Sequence, residues 1–118
     1  MTDPRAWLDA VDARTNAATD GPWERDRTYP LGHPGPYSIS VRSPQVTVSD
    51  GLTKRDAEFI ASARTDLPAA TTALRAVLDL HADDGYGDCA ECGVDTYENA
   101  ISYPCPTVTA ITTALEDA

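Results

Sequence analysis

Lysine and arginine are scarce in this 118-residue chain, 9 against 19 Asp and Glu, for a formal net charge of −10. That balance excludes wrapping a phosphate backbone, since sequence-independent nucleic-acid affinity comes from clustered cations that release counterions. An anionic membrane surface is disfavoured for the same reason. No apolar run approaches the roughly 18 residues of a spanning helix, and Met1-Thr2-Asp3-Pro4-Arg5 lacks the basic-then-apolar order of a secretory leader. The chain therefore reads as cytosolic. Phe occurs once, so the core of what fits one small domain must come from Leu, Val, Ile and Ala. Three cysteines, few and odd in number, point in a reducing compartment to metal ligands or free thiols rather than a disulfide framework. No nucleophile elbow, phosphate-cradling glycine loop or paired catalytic histidine and carboxylate is present, and a conventional enzyme is not expected.

What is there organises into an α+β pattern. Asp3 can cap, and Pro4 can open, an N-terminal helix of about 14 residues with Trp7, Leu8, Val11 and Ala18 on one face. Thr19-Asp20-Gly21-Pro22-Trp23 stops it. Tyr37, Ile39 and Val41, then Val46 and Val48, alternate with polar residues around Ser43-Pro44-Gln45 and predict a hairpin, with Trp23 to Arg27 as a possible third strand. Tyr29 to Pro36, with three prolines and two glycines, must be a loop. After Asp50-Gly51 the period turns helical. Thr53 caps it with Asp56 three residues on, and Ala57, Ile60 and Arg64 share a face beside Phe59 and Ala63. A second start signal at Asp66-Leu67-Pro68 predicts two consecutive helices with a bend near Thr65, the second carrying Leu67, Ala70, Leu74, Val77, Leu78 and His81 as a stripe. A last short helix begins near Thr107, with Val108, Ile111 and Leu115 on its buried face. The fold expected is a small antiparallel sheet covered by the N-terminal and central helices over 1–82, with a C-terminal zinc-stapled loop and short helix over 83–118 packed on the same domain.

The chemistry sits in the irregular stretch. His81-x7-Cys89-x2-Cys92-x12-Cys105 supplies one nitrogen and three sulfurs, the donor set of a closed tetrahedral structural zinc site. Gly93 follows the Cys-x2-Cys turn where a Cβ would clash, and Cys105 precedes a helix whose unpaired amides stabilise a thiolate. Free thiols and a Cys89–Cys92 redox pair are the alternatives, although a redox pair is expected beside a βαβ unit that the pattern lacks. His81 also has a plain reading as a helix-end residue on carbonyls. A catalytic zinc is not expected, because four strong ligands leave no position for water. His33, in the Pro and Gly loop, reads as solvated rather than as a metal ligand.

Two segments resemble known proteins. Thr19-Asp20-Gly21-Pro22-Trp23-Glu24, a hairpin, then Asp56-Ala57-Glu58-Phe59-Ile60-Ala61-Ser62-Ala63-Arg64 and Asp66-Leu67-Pro68 resemble the small phage and prophage proteins grouped as Ead/Ea22-like. The tail His81…Cys89-x2-Cys92…Tyr103-Pro104-Cys105-Pro106-Thr107 resembles a P-C-P-T zinc appendage of actinobacterial and actinophage small proteins. Together these cover Asp20 to about Ala114 and imply a phage protein acting in the host cytoplasm, more than they imply an activity.

Arg25, Arg27, Tyr29, His33 and Tyr37, with Arg64 from the helix, place basic and aromatic groups together on an otherwise acidic chain and are the candidate ligand or partner residues. Arg64 is equally open to pairing with Asp56, Asp66 or a carbonyl. Trp23 reads first as a core residue under the Asp56 to Arg64 helix. Three functions follow: a phage accessory protein that binds and inhibits or modulates a host protein, steered by its acidic surface toward a basic partner; a protein that sequesters a small anionic ligand such as a cyclic-nucleotide immune signal; or a regulatory zinc domain in a larger assembly. So small a sheet has exposed edges, and a homodimer is expected.

Overall fold

The structure is a computed structural model that describes residues 2–28 and 38–118. It is α+β, with the order α1 (Pro4–Ala17), β1 (Glu24–Thr28), β2 (Ser38–Arg42), β3 (Thr47–Ser49), α2 (Lys54–Leu80) and α3 (Pro106–Glu116). The chain falls into two compact units, Asp12–Ala70 and Met1–Val11 with Thr71–Ala118.

In the Asp12–Ala70 unit the three strands form an antiparallel sheet in the order β1-β2-β3. The expected third strand is β1, which pairs with β2 from Glu24 opposite Arg42 to Thr28 opposite Ser38. The hairpin turn is held by Ser43: its Oγ accepts the amides of Gln45 at 3.2 Å and Val46 at 3.0 Å, and its own amide donates to the Val46 carbonyl at 2.9 Å. A register shift between Val41 and Arg42 breaks the expected alternation, so that Val46 is exposed while Val48 packs against the core. That core is Val41, Ala57 and Ala61, with Trp23, Ile39, Val48, Leu52 and Ile60 around them. Phe59, placed beside the Ala57 face by the period, is 75% exposed. Tyr37 and the loop from Tyr29 to Pro36 lie outside the described residues.

The second unit is built on a different core: Leu8, Leu78, Cys89, Cys105 and Val108, ringed by Trp7, Leu74, Ile101, Tyr103 and Ile111. The Asp3 carboxylate accepts the Arg5 amide at 3.0 Å and caps α1 as expected. The sequence sets this helix over the sheet, but its buried Leu8 belongs to the core that contains two of the cysteines; spacing defines an apolar face, not its partner. Arg5–Asp79 at 2.9 Å and Arg75–Asp9 at 2.6 Å join α1 to α2 at the surface, where such pairs contribute less than about 1 kcal/mol.

α2 departs from expectation in being one helix of 27 residues with Pro68 inside it. Proline denies the Arg64 carbonyl its donor, but the residue before a proline is only biased away from the helix, and Ala69, Ala70, Ala73 and Ala76 are the strongest helix formers. Thr53 caps the helix as read, its Oγ1 accepting the Asp56 amide at 3.2 Å.

Two substitutions check these assignments. Leu8→Ala should lower the unfolding free energy by about 2–5 kcal/mol, whereas Thr53→Ala should cost about 1 kcal/mol through loss of the cap. Denaturant unfolding of both variants measures the difference.

Candidate metal centre

The chain after α2 is folded by carboxylates acting on backbone amides. The His81 amide donates to the Val77 carbonyl at 3.0 Å and continues the last turn of α2. Asp83 Oδ1 then accepts the amides of Gly85 and Gly87, and Asp84 Oδ1 those of Tyr86 and Asp88. These bonds bring Cys89 back into a bridge with Asp83. Cys89 donates its amide to the Ile101 carbonyl at 2.8 Å, and Ile101 to the Gly93 carbonyl at 3.2 Å. Gly93, at φ +70, closes the Cys89-x2-Cys92 turn in the left-handed region that suits glycine. Asp95 repeats the device on Tyr97 and Asn99. The segment returns to Cys105, which occupies the N-cap position of α3 with Pro106 behind it.

These paths bring His81, Cys89, Cys92 and Cys105 together, with their ligand atoms all within 4.8 Å of one another. His81 Nδ1 lies 3.5 Å from Cys89 Sγ, 3.4 Å from Cys92 Sγ and 3.6 Å from Cys105 Sγ. One ring nitrogen carries either one hydrogen or one lone pair, so three equal contacts cannot all be hydrogen bonds. A common central ion accounts for them. A tetrahedron with a metal–sulfur distance of about 2.3 Å and a metal–nitrogen distance of about 2.0 Å has a nitrogen–sulfur edge of about 3.5 Å. The residues present therefore fit a metal ion held by four ligands, with Cys89 and Cys105 buried and His81 and Cys92 half-buried.

The electrostatics of the sulfurs require a cation if all three are to ionise. Burial pushes the Cys105 thiol up, but the amides of Val108 and Thr107 in the first turn of α3, with the Cys89 and Cys92 thiols, outweigh it and lower the pKa to about 6. Cys92 is pushed up to about 12, first by its contact with Cys89, then by burial and by Cys105. One negative charge is thus stabilised and a second is resisted. A bound divalent ion reverses that resistance, so binding releases protons.

The candidate ligand residues of the other unit are distributed differently. Arg64 Nε donates to the Thr19 carbonyl at 3.1 Å, and the guanidinium lies 5.8 Å from the Trp23 ring centroid. Its stem packs on the turn below: a Cβ at Gly21 would meet Arg64 Cγ at 3.2 Å. Trp23 is half-buried against the sheet core, and its indole N–H also donates to the Thr19 carbonyl, at 3.1 Å. Arg25 faces Glu58 at 3.6 Å. The Arg27 side chain, Tyr29, His33 and Tyr37 lie outside the described residues. Sequence reading missed a groove lined by Trp23, Glu24, Arg25, Glu58, Ser62 and Asp66; the only signal was that Glu58, Ser62 and Asp66 recur at helical spacing. No helix among the described residues is long and apolar enough to cross a membrane. The chain matches no family model, no curated protein and no solved structure.

Protein purified without chelator should carry one metal ion per chain by elemental analysis, and Cys105→Ser should lose it together with amide protection over residues 83–105. Because binding of the ion releases protons, metal content after dialysis against buffers of decreasing pH should fall.

Proposed function

We propose that this chain is a small phage-encoded accessory protein that binds and inhibits or modulates a host protein, its C-terminal segment held by a structural zinc ion. The observation that carries the reading is the grouping of His81, Cys89, Cys92 and Cys105: three sulfurs and one nitrogen would fill a tetrahedral set around an ion and leave no position for water or substrate, as in structural rather than catalytic sites. Zinc is the ion of choice for a Cys3His set, because thiolate and imidazole donors in a tetrahedron suit it. The resemblance to Ead/Ea22-like proteins and to an actinophage zinc tail supports the phage setting.

Charge supports a basic partner. All nine Lys and Arg lie at or before Arg75, so residues 76–118 carry nine carboxylates (Asp79, Asp83, Asp84, Asp88, Glu91, Asp95, Glu98, Glu116, Asp117) and no basic side chain. Such a surface steers association with a cationic protein and repels anionic ligands. Sequestration of an anionic nucleotide draws less support, since Arg64 is bonded to Thr19 and Arg25 faces Glu58.

Affinity capture from host lysate should retain a protein whose recovery falls as salt rises. Thermal shift against a nucleotide panel should leave the melting temperature unchanged. A nucleotide that raised it in proportion to its concentration would instead favour sequestration.

A further inference from the structure

The three cysteines of the metal centre are not equivalent toward solvent. Cys105 is fully buried and Cys89 is 5% exposed, both inside the core with Leu8, Leu78 and Val108, whereas Cys92 is half-buried between exposed Glu91 and Gly93. A small reagent reaches Cys92 first. A net charge of −10 repels anions, but it leaves an uncharged hydroperoxide free to approach.

The sulfur that can answer Cys92 is also defined. All the ligand atoms lie within 4.8 Å of one another, and Cys89 is separated from Cys92 by a turn of only two residues. Cys105 is near as well, but twelve residues separate it from Cys92 and prolines flank it on both sides. Its sulfur is further held by the amides of Val108 and Thr107 in α3. A link across two residues also costs less chain entropy than one across twelve.

We propose that Cys92 is an oxidation site, at which a hydroperoxide drives formation of a Cys89–Cys92 disulfide and expels the metal ion. This rests on the reading of His81, Cys89, Cys92 and Cys105 as a structural metal centre and names how that centre is regulated. The Cys92 thiolate attacks one peroxide oxygen, the O–O bond breaks and hydroxide leaves, giving Cys92 sulfenic acid. The Cys89 thiolate then attacks that sulfur and displaces a second hydroxide, so two electrons pass from the two thiolates to the peroxide. Only His81 and Cys105 remain as donors, too few for a closed site. Residues 83–105 contain no helix and no strand, so their path opens when the ligands that tie them together are lost. A dithiol reverses the step by thiolate attack on the disulfide.

The test treats the full-length, metal-loaded chain with hydrogen peroxide and follows the released ion with a weak chromogenic indicator while the cysteines are mapped by mass spectrometry. Cleavage after Glu91 and Glu98 leaves Cys89, Cys92 and Cys105 on three different peptides, so each possible pair gives its own linked product. The expected result is loss of one ion per chain in step with a Cys89–Cys92 link, Cys105 remaining open to alkylation, and return of the metal after dithiothreitol and added zinc. Dimedone present during the reaction should label the Cys92 peptide before the other two. Linkage through Cys105, first labelling at Cys89, metal loss with no disulfide, or retention of the ion by protein whose Cys92 is oxidised would each overturn the proposal. An untreated sample that already lacks metal would overturn the metal-centre reading instead, and the linked peptides would still decide which pair oxidises.

Discussion

Three sulfurs held within contact of one imidazole nitrogen cannot all be thiolates unless a cation sits among them, and much of the second unit is built around that arrangement. Two of the sulfurs, those of Cys89 and Cys105, are also members of its hydrophobic core with Leu8, Leu78 and Val108. The metal centre and the core are therefore one structure. Burial of apolar area from two short helices and the end of a third is small, and a chain of this length buries only about two-thirds of its surface. An ion held by the four residues would add a stabilisation that does not scale with area, where residues 83–105 have no strand of their own.

The path itself is written in carboxylates. Asp83, Asp84 and Asp95 each accept two backbone amides through one oxygen, supplying bonds that helix or sheet would otherwise provide. The acidity that reads from composition as a surface property thus has a local structural use. It also concentrates negative charge around the centre, which raises the local concentration of cations and favours a metal over a protonated cluster.

How far the sequence discloses this depends on the range over which each constraint acts. Local rules were legible: the Asp3 and Thr53 caps, the hairpin about Ser43, Gly93 after the Cys-x2-Cys turn, and Cys105 at the start of α3 all follow from residue type and spacing. The four ligands were legible because a closed site needs a specific donor set. Two things were not. Pro68 reads as a start signal, yet α2 runs through it, because the alanine-rich sequence that follows outweighs one missing bond. The partner of each apolar face was also hidden: Leu8 and Val41 carry the same kind of signal but sit in different cores. His81 uses Nδ1 toward all three sulfurs, a choice set by rotamer and backbone position that no spacing encodes.

The arginines show why a residue type alone does not define a binding role. Arg25 and Arg64 are prominent in an acidic chain and invite assignment to an anion. In the structure Arg64 is spent inside the fold: it spans from α2 to the Thr19 carbonyl, covers Trp23, and rests on Gly21, where only a residue without a Cβ leaves ordinary contact distance. Its charge holds the turn that presents the indole. Beside that indole lie Glu24, Glu58 and Asp66, with Arg25 paired to Glu58. With Arg64 drawn into the fold, the carboxylates around it outnumber the remaining cation, so the local charge has the same sign as the net charge of −10.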